Sequence, residues 1–158
     1  MHKIIYLIQN INGGTIMDNN IDTLNELHKG CCMGIDAIDF IINKINEEEF
    51  NKILIEQKND YEKLSKKIEK KYNQYTTKDI HETNIMTKAM TWYGIQMDTM
   101  LDNSISKIAD ILIKGTNMGI IEGKKLINNK TMSKDVLKLC NDYINMQEKN
   151  LNILKEYL

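Results

Sequence analysis

His28, Cys31 and Cys32 are spaced i, i+3 and i+4, a separation that sets an imidazole and two thiols on neighbouring positions of a helix surface. Imidazole with thiolate is a ligand set for Zn or Cu. Adjacent cysteines on a helix diverge by about 100°, so a complete site would take further ligands from another helix, and Cys140 is the remaining thiol. The plainer reading is a core-facing Cys31 beside a histidine at the edge of an apolar stripe, with no cofactor. A second constellation is the pair Gln57 and Tyr61, matched in reverse order by Tyr143 and Gln147. Each pair shares one helix face, and facing one another they would form a polar core layer that fixes register when every group is satisfied. A di-iron site of the bundle type needs Glu-x-x-His from two helices, and this spacing occurs nowhere in the chain. Amide and phenol are poor iron ligands, so no catalytic residue is assigned. The methionines at 86, 90, 97 and 100 fit a core or a partner-binding groove better than copper handling.

The elements that must position these groups are helices. The chain has 158 residues, 26 Ile, a single Val, no Pro and no Arg; without Pro the strongest helix breaker is missing throughout. Apolar residues recur at helical spacing. A first helix is predicted from Ile21, capped by Asp22 or a neighbouring Asn, with Leu24, Leu27, Cys31, Ile35, Ile38, Ile42 and Ile45 inward. Glu47–Glu49 make a turn into a second helix carrying Phe50, Ile53, Leu54, Gln57, Tyr61, Leu64, Ile68 and Tyr72. A long polar connection leads to a third stretch around Trp92. A fourth helix runs through Ile108, Ile111, Leu112, Met118 and Leu126, and a fifth, capped by Ser133, carries Val136 to Leu158.

Two of these helices share a sequence. Leu27-His28-Lys29-Gly30-Cys31-Cys32-Met33-Gly34-Ile35 matches Leu112-Ile113-Lys114-Gly115-Thr116-Asn117-Met118-Gly119-Ile120 at six of nine positions, offset by 85, and Glu62-Lys63 matches Glu148-Lys149 one residue further on. Two related helical hairpins joined by a long, partly helical connection follow. Glycine inside a helix costs about 1 kcal/mol against Ala, so Gly30, Gly34, Gly115 and Gly119 need a reason; close helix–helix packing is the simplest.

Two hairpins with one long crossover are the ferritin-like arrangement of a four-helix bundle. With Leu24-Asn25-Glu26-Leu27 opening the first helix, Gly34-Ile35 in its middle, Trp92 in the connection and a glycine-containing fourth helix, residues 21–158 resemble a bacterial ferritin-like family of unknown function. The fold expected is all-α, a ferritin-like up-down four-helix bundle. The resemblance implies a fold rather than an activity.

Charge narrows the function further. Net charge is −1, and every basic side chain outside the three histidines is Lys, which argues against nucleic-acid recognition. Lys63, Lys66, Lys67, Lys70 and Lys71 are interleaved with Glu62 and Glu69, as on a solvated helix face with i, i+3 and i, i+4 ion pairs. No segment approaches the ~20 apolar residues of a membrane span. An odd cysteine count suits reduced thiols in a cytoplasm. Gly13-Gly14-Thr15-Ile16-Met17 can be encoded by a ribosome-binding site followed by ATG. Residues 1–16 are therefore expected to be a non-native or disordered N-terminal extension, and 17–158 the single bundle domain. The expected function is non-catalytic, structural or protein-interaction, with a homodimer or another protein as partner, in the stress or sporulation setting that an AT-rich bacterial composition suggests. The alternative is a small metal-binding carrier using His28 and the nearby thiols.

Overall fold

A computed structural model describes the backbone of residues 15–80, 84–98 and 104–158, and the side chains of the same residues except 84–90. The first fourteen residues, His81, Met100 and the side chains of Met86 and Met90 lie outside this description. The described chain is all-helical: α1 (Ile16–Ile42), α2 (Glu48–Tyr72), α3 (Asn84–Asp98), α4 (Ile105–Asn129) and α5 (Lys134–Lys155). No described helix is long and apolar enough to cross a membrane.

The start of α1 differs from the expected one. Thr15 is the N-cap, its hydroxyl accepting from the Asp18 N–H at 3.1 Å while the Asp18 carboxylate accepts from the Thr15 N–H at 3.3 Å. This reciprocal capping box satisfies two backbone donors and spans the boundary expected between Ile16 and Met17. Asp22 and the neighbouring asparagines, read as caps, lie inside the helix instead. Asn19 and Asn20 are buried because they clasp the far hairpin: Asn19 Nδ2 donates to the Thr131 carbonyl, and the Ser133 N–H donates to Asn20 Oδ1, both at 2.9 Å. Ser133 does cap α5 in position, but its hydroxyl makes no capping bond; Asn20 supplies the acceptor from outside.

Side-chain pairs fix the helix directions. Lys58–Asp39 at 2.6 Å ties α2 antiparallel to α1, and Gly119 against Gln147 with Gly123 against Ile144 ties α5 antiparallel to α4. Lys71–Asp135 and Lys149–Asp60, at 2.9 and 3.2 Å, run α5 antiparallel to α2. The Asn20–Ser133 and Gly30–Tyr143 contacts make α1 and α5 parallel. For α1, α2, α4 and α5 the order is up, down, down, up, so α2 ends and α4 begins at opposite ends of the bundle, and α3 packs on α1 and α4. Phe50, Leu24, Leu27, Ile68, Ile108 and Leu154 are among the fully buried side chains. In α4 the expected stripe shifts: Met118 is 48% exposed, while Thr116 and Gly123 are buried. The inner face of α4 is partly glycine, which carries no apolar signal for periodicity to find.

Candidate functional site

The glycines account for the centre of the bundle. A Cβ built on Gly30 would meet the Tyr143 hydroxyl; on Gly34 it would strike the face of the Tyr61 ring; on Gly115, the Tyr93 hydroxyl; and on Gly119, Gln147 Nε2 and the Tyr143 hydroxyl. Each glycine thus makes room for a polar side chain from another helix, and no neighbouring helix backbone is among the nearest atoms. Gly123 continues the row, against Ile144 and Tyr143. The spacing 30, 34 and 115, 119, 123 is a four-residue row that leaves one bare flank on each of α1 and α4.

Between these flanks lies a cavity of about 420 Å³ with walls from all five helices, including Gln57 and Tyr61 of α2, Trp92 and Tyr93 of α3, and Tyr143 and Gln147 of α5. Its size falls in the range of small-molecule sites, roughly 300–1,000 Å³. Leu27, Ala37, Ile38, Leu112, Leu126 and Leu154 make most of the remaining lining apolar. Charged residues enter only as Glu26, Lys29 and Glu122, and each is engaged in a 2.8 Å ion pair, Lys29 with Glu26 and Glu122 with Lys125.

The four Gln and Tyr residues come together at the buried side of this cavity. The Tyr61 hydroxyl donates to Gln147 Oε1 at 2.5 Å, and Gln147 Nε2 donates to the Tyr143 hydroxyl at 2.8 Å. Gln57 Nε2 reaches the Asn150 carbonyl at a long 3.4 Å. The relay has a direction: Gln147 uses its carbonyl toward Tyr61 and its amide toward Tyr143, so the Tyr143 proton is not consumed within it. No described residue accepts that proton. Tyr93, T-stacked on Trp92 with ring centroids 4.8 Å apart, places its hydroxyl at Gly115 and makes no hydrogen bond there with the described residues.

Burial governs the ionisation of these phenols. It pushes Tyr93 up to about 12. Burial also raises Tyr61 well above the usual phenol value, reinforced by the nearby Tyr143, Tyr93 and Cys31, and raises Tyr143, against a smaller lowering by Gln147. All three are neutral hydrogen-bonding groups near pH 7. The donor set does not fit a di-iron centre, because the inward positions of α2 and α5 carry amides and phenols where iron requires carboxylate and imidazole.

The thiol constellation separates. Cys31 is fully buried in the core, and burial pushes its thiol far above the ordinary range, with Cys32 adding to the shift. Cys32 is half-buried and turned to His28, its Sγ 3.7 Å from the ring Nδ1. Cys140 is buried against the Met132 sulfur at 3.8 Å. No group of three or more His, Cys, Asp or Glu side chains is disposed to hold a metal ion among the described residues. Reading residue types along the chain missed Tyr93 and Thr116 as cavity groups. The clue available was Tyr93 beside the single Trp, on a helix that the bundle topology alone would treat as a connector.

Comparison with protein-family models, with curated proteins and with solved structures finds no match to this chain.

Proposed function

We propose that this protein is a non-catalytic helical bundle of ferritin-like topology that holds one small, mainly apolar molecule at its centre, as a carrier or sensor. The observation that carries the reading is the 420 Å³ cavity walled by all five helices. A bundle needs no such space to be stable. Interiors pack at a density near 0.74, and a hollow of this size, open at its Met118 rim, forgoes packing contacts along its lining. Four helix glycines, Gly30, Gly34, Gly115 and Gly119, stand against the Tyr and Gln side chains around the cavity and add a helix-propensity cost that binding would justify.

Trp92, the only tryptophan, lines the cavity and reports on occupancy. The neutral dye N-phenyl-1-naphthylamine should quench Trp92 by energy transfer and bind saturably at one per chain. Ala37→Phe, inside the cavity, and Met118→Phe, at its exposed rim, should each weaken binding at least about tenfold while circular dichroism stays unchanged. Binding that is unsaturable, or indifferent to both variants, refutes the reading.

The contact between Cys32 and His28 favours a second reading, a Zn or Cu carrier that recruits further ligands on binding. Stoichiometric Zn uptake lost in both His28→Ala and Cys32→Ala would favour it. Three cysteines kept as thiols suit a bacterial cytoplasm, and a second copy covering Met118 and Ile121, both exposed, is the partner we propose.

A further inference from the structure

We propose that the ligand is an uncharged molecule with a hydrogen-bond acceptor such as a carbonyl oxygen, taken up by the hydroxyls of Tyr93 and Tyr143; this rests on the cavity being a binding site. Three observations lead there. First, the relay from Tyr61 through Gln147 ends on the Tyr143 oxygen, so the Tyr143 proton is left to donate outward. Its hydroxyl lies between Gly30 of α1 and Gly119 of α4, on the cavity wall. Second, the Tyr93 hydroxyl sits at Gly115 of α4, one helical turn along the same glycine row from Gly119, and is likewise uncommitted among the described residues. Two phenol donors on the cavity wall, their protons uncommitted among the described residues, are available to an acceptor that enters it.

Third, the charges that reach the cavity wall are already paired. Lys29, Glu26 and Glu122 are held in ion pairs, and the two glutamates are 50% and 67% exposed at the rim. A carboxylate or ammonium would have to lose its hydration without a counter-charge. Both donors also stay protonated near pH 7, as burial raises their ionisation. At interior packing density the volume suits about 15 non-hydrogen atoms, the size of a small aromatic or terpenoid ketone.

The test is a matched series displacing N-phenyl-1-naphthylamine from the full chain: 2-acetylnaphthalene, its hydrocarbon isostere 2-isopropenylnaphthalene, 2-naphthoate and 1-(2-naphthyl)ethylammonium. The ketone should bind about tenfold more tightly than the hydrocarbon, the order expected of two hydrogen bonds, and both ions should bind more weakly than the hydrocarbon. Tyr93→Phe, which removes a hydroxyl with no partner to disturb among the described residues, should cut the ratio of ketone to hydrocarbon affinity to about threefold. Tyr143→Phe provides an independent second variant. Equal affinity for ketone and hydrocarbon, or a preference that survives both variants, overturns this ligand class while the cavity reading stands. Tighter binding of either ion does the same. Failure of the dye itself to bind overturns both.

Discussion

Gly34→Ala tests whether the glycines serve side chains. In an unobstructed helix the change would stabilise by about 1 kcal/mol, and Gly94 in α3, where an added Cβ has nothing within 4 Å, provides that case. At Gly34 the new Cβ would lie 2.5 to 2.7 Å from three ring carbons of Tyr61, about 1 Å inside ordinary carbon contact. Overpacking of this kind costs ~1–3 kcal/mol. The ring lines the cavity and yields toward it, straining the buried bond to Gln147, worth about 1 kcal/mol. Against the propensity gain, the net is about 2 kcal/mol of destabilisation, a fall in Tm of roughly 4–8 °C for a chain of this size. Urea unfolding followed by circular dichroism, with equal m-values, measures it. Gly94→Ala should shift the other way by up to about 1 kcal/mol. In a Tyr61→Leu background the penalty at Gly34 should largely vanish, giving a coupling energy on the order of 1–2 kcal/mol. A Gly34→Ala protein as stable as the parent, with Gly94→Ala stabilising as expected, would refute the seating of Tyr61 on Gly34.

Further outcomes follow from the caps, thiols and phenols. Asn20→Ala should cost ~1–2 kcal/mol, because the Ser133 N–H at the start of α5 loses its acceptor; faster hydrogen exchange at Ser133 should accompany the loss, and unchanged exchange would contradict the clasp. A methanethiosulfonate reagent near pH 8 should modify half-buried Cys32 first, although burial raises its thiol too, whereas the fully buried Cys31 and Cys140, the latter pushed up to about 11 by burial, should react at the rate of unfolding; equal labelling by mass spectrometry would contradict it. The raised phenols make stability fall in alkali. Unfolded tyrosines lose their protons near pH 10 while the folded ones keep them, so the contribution is complete below about 10 and is lost as pH rises, for Tyr93 through about 12. Urea midpoints should therefore decline above about pH 10, less steeply in Tyr93→Phe, and a flat profile in both would rule this out.

Much of the helical layout is legible in the apolar spacing, because a two-sided helix announces its buried face. The expected inward positions of α2 from Phe50 to Tyr72 are buried as read, apart from the half-buried Ile53. Asn19 and Asn20 show where local reading fails: asparagine is both a capping residue and a long-range hydrogen-bonding group, and only the position of residues 131–133 decides between them. Met118 fails for a related reason, since glycines at 119 and 123 take the inner face of α4 without a hydrophobic mark. The Gln/Tyr set could be picked out from its spacing, but its direction of donation could not, and that direction leaves the Tyr143 proton for the cavity.

The contact of Tyr93 with Gly115 bears on whether the hairpins are interchangeable. Under the sequence offset of 85 to 86, Gly34 on Tyr61 corresponds to Gly119 on Gln147, and Gly30 on Tyr143 corresponds to Gly115 on Gln57. Gln57 is shorter than a tyrosine, and the place at Gly115 is filled by Tyr93 of α3. The span between the hairpins is therefore a fifth wall rather than a tether. The second hairpin supplies a tyrosine to Gly30 of the first, the first supplies only Gln57 in return, and α3 of the same chain brings the ring that stands at Gly115.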